Sequence, residues 1–402
     1  MDQAATDRIK ELGRELEPHI IALRRKFHEH PEVGGTEYWT SKEICAELDE
    51  LGVPYRRVAD TGIIATIAGT RTVAEGIPAE TRTIALRADI DALPVTERTG
   101  APYASKNPGF MHACGHDCHI AMMLGAVRML VDLRNRFSGE VRILFQPAEE
   151  LSTGSRKMIA AGALEGVDTI YGAHIWSDID AGLFSCEAGK RMANTDWFRI
   201  DIHGVSAHGS MPHKGIDAIV VGAEMIESLQ VLVSRDVSPF EPAVLTVGEF
   251  HGGEARNIMA GSAYLTGTVR TWSDELRAQM PVSIERIAKK IANAFGAEAT
   301  VRYDQGNGAL TNDVKCAKRA QLAVIETLGR EALGSYRGTL SGEDFSEYLK
   351  HVPGVLVFVG CRNEALGACH PQHSCYYDVD ESVLAKGAMV AAQYAIDFLQ
   401  GR

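Results

Sequence analysis

Strand-like apolar runs alternate with helix-like segments along the first 180 residues, and this alternation restricts the chain to a few fold classes. Short β-like runs occupy residues 62–69, 83–90, 140–147 and 168–176. Between the second and third of them, residues 119–134 carry apolar side chains at the spacing of one helix face. Strands that alternate with helices favour a layered α/β domain with a mixed, largely parallel sheet.

The pattern changes near residue 190 and the α/β pattern resumes near residue 308. Residues 191–307 begin with a clear two-residue alternation, WFRIDIHG, and continue in the order β-α-β-β-α-β. This order predicts a ferredoxin-like α+β domain. The sequence therefore predicts one α/β domain made of residues 1–190 and 308–402, with residues 191–307 inserted into it.

Composition excludes several classes of function. The 402 residues include 41 Lys and Arg against 53 Asp and Glu, and the resulting net charge of −12 argues against nucleic-acid or anionic-membrane partners. No apolar run approaches the roughly 18 residues that a membrane-spanning helix needs. The N-terminal residues do not follow the pattern of a signal peptide, and the eight cysteines are scattered along the chain. We therefore expect a cytoplasmic enzyme without a disulfide framework.

One segment, MHACGHDCHI, concentrates side chains that bind transition metals. It holds His112, Cys114, His116 and His119 just before the helix predicted at 119–134. Cys114 and His116 are two residues apart, so both could face one metal from a loop but not from within a helix. Gly115 between them permits such a turn. His119 could be a structural residue, a residue that orients a ligand, or a ligand itself.

Polar side chains also follow three of the predicted strands. The strand at 83–90 ends with Asp89 and Asp91, Glu149 and Glu150 follow the strand at 140–147, and His174 ends the strand at 168–176. In an open α/β sheet, ligands bind beyond the carboxyl ends of the strands. Either glutamate could bind a metal while the other faces a substrate water, and the aspartates suit a role in orienting a ligand. Taken singly, each residue could be an ordinary solvated or core side chain.

The number of donors indicates two metal ions. Cys114, His116, Glu150, His174 and one late histidine, His370 or His373, make five donors. Five are too many for one tetrahedral zinc, so two metals that share a bridging ligand fit better. A redox protein based on thiols is a rival hypothesis, but no CxxC pair supports it.

These motifs resemble those of a known enzyme family. MHACGHD, FQPAEE, GAHIW and LRADIDALP, together with RRKFHEHPEVGG, GVSAHGSMPH and SGEDFSEYL, are similar to the aminoacylase and carboxypeptidase-G metallopeptidases. Within them the chain resembles the amidohydrolase subgroup of hippurate hydrolases, N-acetyl-diaminopimelate deacetylases and plant indole-acetyl-amino-acid hydrolases. The resemblance covers nearly the whole chain. It implies a zinc-peptidase-like catalytic domain and an inserted lid and dimerisation domain.

The resemblance also implies the chemistry of the site. It implies two divalent metals, with zinc or manganese preferred and cobalt or nickel as alternatives, held by the following ligands: Cys114, His116, Glu150, His174 and His373. Glu149 would be the general base and acid for a metal-bridging water that attacks the amide of an N-acyl amino acid. The products would be a carboxylic acid and a free amino acid. The alternative substrate class is that of a dipeptidase or carboxypeptidase.

In the inserted domain the resemblance implies substrate contacts. His208 would stabilise the developing oxyanion, from its own subunit or from the partner of a homodimer or larger homo-oligomer. Asn257 would hold the carboxylate end of a small substrate, and Arg270 is a further candidate that could instead be a solvated partner in an ion pair.

Two positions depart from the family pattern. Ala260 stands where a proline is expected, and the missing proline after His373 leaves His370 as a rival ligand.

Overall fold

The structure is a computed structural model that describes residues 2–71 and 82–401. The described residues form two compact units. Unit 1 comprises the described parts of Met1–Gly189, Thr311–Arg337 and Glu347–Arg402, and unit 2 comprises Lys190–Leu310 and Gly338–Ser346.

The strands and helices are numbered in chain order. The strands are β1 (Tyr55–Val58), β2 (Gly62–Ala68), β3 (Thr83–Asp89), β4 (Glu140–Gln146), β5 (Thr169–Asp180), β6 (Phe184–Ser185), β7 (Gly189–Met192), β8 (Asp196–His203), β9 (Ala207–His208), β10 (Ala243–Gly252), β11 (Ile258–Met259), β12 (Ser262–Thr271), β13 (Glu298–Gln305), β14 (Leu310–Asn312) and β15 (Gly354–Arg362). The helices are α1 (Gln3–His28), α2 (Tyr38–Glu50), α3 (His116–Asp132), α4 (Gly154–Ala160), α5 (Ala218–Val231), α6 (Asp274–Ala294), α7 (Val314–Leu328), α8 (Phe345–Leu349) and α9 (Leu384–Leu399).

Unit 1 is built on a mixed seven-stranded sheet in the order β1-β2-β4-β3-β5-β15-β6. The four central strands β4, β3, β5 and β15 are parallel neighbours, and the other pairs are antiparallel. Strand β15 is buried along nearly its whole length, which explains its continuous apolar sequence GVLVFVG. Helices α1, α3, α7 and α9 pack on one another in the same unit. The predicted α/β class is confirmed.

Helix α3 is the element that presents the MHACGHD segment. It begins at His116, directly after Gly115, and nearly all of its residues are buried. Its sequence is apolar almost all round, as expected for a helix within a core. The predicted helix at 119–134 thus starts three residues earlier, so His116 lies in its first turn.

Unit 2 is a four-stranded antiparallel sheet with two helices. The strand order is β10-β12-β8-β13, and the chain order β8-α5-β10-β12-α6-β13 is the predicted β-α-β-β-α-β arrangement. Its core contains Ile200, Met225, Leu265 and Ile284 among other apolar side chains. Alternate residues of β8 are buried, in agreement with the two-residue sequence pattern.

Residues 338–346 belong to unit 2, although the sequence predicts them in the catalytic domain. Their hydrogen bonds explain this placement. Ala193 N donates to Ser341 O at 2.9 Å, Thr339 N donates to Arg191 O at 2.9 Å, and Trp272 Nε1 donates to Thr339 O at 3.2 Å. Contacts between segments so far apart in the chain leave no local pattern in the sequence.

The prediction that a strand ends at His174 is wrong. Strand β5 continues to Asp180 because it remains paired with β15, and Asp180 lies opposite Arg362. His174 therefore lies in the middle of a long strand.

Among the helices in the described part of the chain, none combines the length and hydropathy that crossing a membrane requires.

Candidate metal centre

The turn at Gly115 sets the positions of Cys114 and His116. Gly115 has φ 88°, in the left-handed region that glycine adopts without penalty. A Cβ at this position would lie 2.2 Å from Ile175 Cγ2 and 2.8 Å from the Tyr377 hydroxyl. Both the backbone angle and the space therefore require glycine, which agrees with the turn predicted from the sequence.

A second tight turn presents Glu149 and Glu150. It begins with Ala148 at φ 53°, an uncommon angle for a residue other than glycine. The backbone N–H groups of Glu149 and Glu150 donate to Asp91 Oδ1 and Oδ2, each at 3.1 Å. Asp91 thus holds the backbone of both glutamates in place.

These two turns, β5 and the C-terminal loop bring together the five predicted ligands, all in unit 1. Donor atoms of Cys114, His116 and His174 lie within 4.8 Å of one another, and so do those of Cys114, Glu150 and His373. Cys114 belongs to both groups. A donor that belongs to two neighbouring groups is compatible with two cations that share a ligand.

The state of the donor atoms fits metal binding. His116 Nε2 and Glu150 Oε1 are buried, and neither makes a hydrogen bond to any atom in the described parts of the chain. Buried polar atoms without hydrogen bonds are costly, so these two atoms, which lie 4.0 Å apart, suit the binding of a cation. The His373 Nε2 atom lies 3.5 Å from Glu150 Oε1, and Cys114 Sγ lies 3.7 Å from His174 Nε2. Sulfur, imidazole and carboxylate donors together suit zinc and similar ions.

The electrostatics of Glu150, Cys114 and His174 agree with metal binding, whereas, against the effect of burial, Asp89 and Cys114 raise the pKa of His116 well above its usual range. Burial raises the pKa of Glu150 to about 7, although His116 opposes that rise. Burial, and next the charge of Glu150, raise the pKa of the Cys114 thiol well above its usual range. Burial keeps the pKa of His174 well below its usual range, so this imidazole is neutral and able to bind a metal. Divalent cations would take the place of protons on Cys114 and Glu150.

His119 has both ring nitrogens occupied by protein groups. Its Nε2 accepts a hydrogen bond from Ile175 N at 2.9 Å, so Nδ1 carries the proton and donates to Asp89 Oδ1. His119 therefore orients its neighbours. The sequence left open whether His119 is itself a metal ligand, and its contacts disfavour that role.

Asp89 lies at the centre of a buried polar group. It accepts from Arg87 Nη1 at 2.7 Å as well as from His119, and its Oδ2 lies 3.7 Å from His116 Nε2. Burial alone would raise the pKa of Asp89, but Arg87 and His116 hold it well below its usual range. Arg87 was missed in the sequence, although it is two residues before Asp89 and hence on the same face of β3.

The structure favours His373 over His370 as the late histidine. His373 N donates to Ala113 O at 2.7 Å, which holds the C-terminal loop beside the Cys114 turn. His373 has φ 66°, and this angle is another sign of a constrained loop. The ring of His370 stacks at a tilt on Tyr376, with centroids 5.5 Å apart, and in the described residues it joins no group of close donors.

Unit 2 brings two of its three predicted substrate residues together. Strand β9 pairs with β11 so that His208 lies opposite Ile258, and Gly209 N donates to Asn257 O at 2.9 Å. The His208 ring is exposed, and its Nδ1 lies 2.8 Å from Ser210 Oγ. His208 and Asn257 thus lie side by side on the surface of this unit.

Arg270 lies elsewhere in unit 2. It occupies the far end of β12, eight residues beyond Ser262, where the strand begins next to β11. At the usual rise per residue this is roughly 27 Å along the strand. Burial lowers the pKa of Arg270 although Asp196 opposes this, and Arg270 Nη1 is buried without a hydrogen-bond partner among the described atoms. A solvated ion pair, the alternative for this arginine, is not what the structure contains.

Comparison with known proteins identifies the family. The model of peptidase family M20/M25/M40 matches residues 85–397. The chain belongs to this family. It is therefore a hydrolase, as the sequence motifs predict.

Individual members of the M20/M25/M40 family are similar over most of the chain. An N-acetyl-L-cysteine deacetylase of Bacillus subtilis is 39% identical over 93% of this chain and 86% of its own length. A thermostable carboxypeptidase of Saccharolobus solfataricus is 36% identical over 98% of both chains. The solved structure of a dinuclear metal-binding M20 peptidase from Bacillus subtilis is 32% identical, with a TM-score of 0.82 over 97% of this chain and all of that one.

Proposed function

We propose that the protein hydrolyses the amide bond of N-acyl amino acids, or similar small amides, to a carboxylic acid and a free amino acid. The observation that carries this proposal is Glu149, a largely buried carboxylate whose donor atoms lie within 4.8 Å of those of His116 and Glu150. A carboxylate next to a metal-binding donor set is placed to act as general base for a metal-bound water. Similarity to the N-acetyl-L-cysteine deacetylase supports the substrate class.

We further propose that two divalent ions, zinc or manganese and otherwise cobalt or nickel, are the cofactors. Their ligands would be Cys114, His116, Glu150, His174 and His373. When bound, such ions would act as Lewis acids and lower the pKa of a water molecule. Similarity to a dinuclear M20 peptidase supports the number of ions.

Glu149 would move the proton in this mechanism. Its carboxylate would accept a proton from the attacking water and then deliver it to the amine of the leaving amino acid. Asp91 would help because its carboxylate accepts from the Glu149 backbone N–H and so fixes the position of the base. Asp89 would act through the metal ligands, since it binds Arg87 and His119 and lies beside His116.

Residues of unit 2 would bind the substrate. His208 would donate to the carbonyl oxygen as it becomes an oxyanion, and Asn257 would bind the carboxylate of the amino acid. Arg270 is a further candidate for a substrate carboxylate because its buried Nη1 has no hydrogen-bond partner among the described residues, but it lies too far along β12 from Asn257 to bind the same group within one unit. As an exposed residue, His208 could serve its own subunit or the partner in a homodimer.

Similarity to a carboxypeptidase supports a second candidate, the hydrolysis of peptides at the C-terminal residue. Both reactions release an amino acid with a free carboxylate. They differ only in the acyl group, which is a simple acid in one case and an amino acid or peptide in the other. The same catalytic residues would serve both.

The test is amine release from matched pairs of substrates. N-acetyl, N-benzoyl, N-aminobenzoyl and indole-acetyl conjugates are compared with dipeptides that end in the same amino acid, each with Mn²⁺ or Zn²⁺ and again with a chelator. Release from an N-acyl conjugate that needs metal supports the proposal. Release from the dipeptides alone supports the carboxypeptidase. No release from a protein shown to hold two metal ions would refute both substrate classes.

A further inference from the structure

Arg24, near the end of α1, is an arginine with a fully buried side chain that binds three carboxylates. Its Nε donates to Asp117 Oδ2 at 2.8 Å, Nη2 to Asp378 Oδ1 at 3.0 Å, and Nη1 to Glu381 Oε1 at 3.2 Å. Each nitrogen of the guanidinium thus donates to a different carboxylate, and Nη2 also lies 3.4 Å from His28 Nδ1. The side chain is 0% exposed, so water does not compete for these bonds.

The partners of Arg24 lie next to two groups of proposed ligands. Asp117 directly follows His116 and is three residues from Cys114. Asp378 and Glu381 lie in the C-terminal segment that begins with His373. The Cys114–His116 segment and the His373 segment are more than 250 residues apart in sequence, so their approach depends on tertiary contacts. Arg24 contacts Asp117, the residue after the first segment, and Asp378 and Glu381 in the second.

Other side chains strengthen the same link. His28, one turn after Arg24 on α1, has Nδ1 2.7 Å from Asp117 Oδ2. The Tyr103 hydroxyl donates to Asp378 Oδ2 at 2.9 Å, and the Arg24 guanidinium lies over the Tyr103 ring, 4.9 Å from its centroid. Asp117, His28 and Arg24 are all buried, so this is one polar cluster inside unit 1.

We propose that Arg24 is a positioning residue that holds the Cys114–His116 and His373 segments at the distance that two metal ions require. This inference rests on the ligand set given under the proposed function. Among the described residues these segments also meet where His373 N donates to Ala113 O and where the Tyr377 hydroxyl lies close to Gly115. A planar guanidinium with three separate carboxylate partners sets both distance and direction, which a single hydrogen bond does not.

Two exposed ion pairs of α1 show why Arg24 differs from a stabilising surface residue, whereas Arg25, also on α1, binds Glu381 beside Arg24 at 2.5 Å. Arg8 pairs with Asp132 at 3.1 Å and Lys26 pairs with Glu43 at 2.5 Å, but both pairs are partly exposed. Neither pair involves a residue next to a proposed ligand. Exposed pairs of this kind contribute little to stability and would not affect the metal site.

The test compares metal binding by Arg24→Met with binding by a matched control. Arg128→Met is the control because Arg128 lies on α3, the helix that begins at His116. Arg128 forms an ion pair with Glu47 at 2.6 Å, and neither residue is next to a proposed ligand. The full-length proteins are stripped with a chelator and titrated with Zn²⁺ against a chromophoric competitor. We expect Arg24→Met to bind at least one ion about tenfold more weakly, and Arg128→Met to bind as the wild type does.

A spectroscopic measurement separates positioning from general destabilisation. Co²⁺ bound by Cys114 gives a thiolate charge-transfer absorption, whose position and intensity depend on the geometry at the sulfur. We expect this absorption to change in Arg24→Met but not in Arg128→Met. Thermal unfolding of the metal-free proteins reports the stability of the fold independently.

Arg24→Lys keeps the inference testable if Arg24→Met does not fold. Lysine retains the charge but has one ammonium group, which does not reproduce three separate bonds. We expect Arg24→Lys to fold and still show weaker metal binding and an altered Co²⁺ spectrum. Wild-type affinity and an unchanged spectrum in a folded Arg24 variant would overturn the inference. A wild-type protein that binds fewer than two ions would instead overturn the ligand set on which it rests.

Discussion

Replacing Gly115 with alanine tests the turn between Cys114 and His116. Gly115 has φ 88°, and a left-handed angle costs a residue with a Cβ about 1–2 kcal/mol. The new Cβ would also lie 2.2 Å from Ile175 Cγ2, and Ile175 and Tyr377 are both fully buried. Forcing an extra methyl group into a packed core costs about 1–3 kcal/mol. We therefore expect Gly115→Ala to lower the free energy of unfolding by about 2–5 kcal/mol.

The matched control is Gly109→Ala. Gly109 has φ 89°, almost the same angle, but a Cβ there would meet nothing within 4 Å. This variant should lose only the strain of about 1–2 kcal/mol, and the effect of alanine on the unfolded chain cancels between the two variants. Denaturant unfolding of the metal-free proteins measures the difference, and zinc titration measures the accompanying loss of metal affinity in Gly115→Ala. Equal stability of the two variants would refute the argument from packing.

Three further variants test the catalytic base, the shared ligand and the core of unit 2. Glu149→Gln should keep two metal ions and the fold but lower kcat by about 10²–10⁴-fold, and unchanged turnover would contradict its role as general base. Cys114→Ser should weaken metal binding and remove the Co²⁺ thiolate absorption, whereas Cys369→Ser should change neither. Arg277→Met should destabilise the protein by about 3–5 kcal/mol in denaturant unfolding, because it breaks a pair with the fully buried Asp196 at 2.6 Å. Asp196 also accepts from Asn194 Nδ2, the Tyr303 hydroxyl and Gly306 N, and a loss below about 1 kcal/mol would show that these donors suffice.

The local chemistry of the site could be predicted from the sequence. The histidines, the cysteine and the paired glutamates were found because metal-binding side chains are rare at such density and followed predicted strands. The glycine turn was predicted because two donors two residues apart cannot share a helix face. Periodicity of apolar residues also predicted the order of strands and helices in both units.

The contacts between distant segments could not be predicted. His174 lies in mid-strand because β5 pairs with β15, and no local pattern records that pairing. His119 was recognised as an orienting residue because its ring accepts a hydrogen bond from a backbone N–H of β5. Asp91 was recognised because its carboxylate accepts from the backbone N–H groups of Glu149 and Glu150, which follow β4. Each of these contacts joins residues more than 50 positions apart.

The sequence by itself determined which donors the chain contains and near which strand or helix each of them lies, because spacing and periodicity act over a few residues. Only the tertiary structure decided which donors meet: Cys114 lies within one group with His174 and within another with His373. It also decided that Arg24, an arginine in a helix with a polar surface pattern, is fully buried against carboxylates from two remote segments. These outcomes depend on how the helices pack and how the sheet is ordered, and such long-range packing is a property of the whole fold.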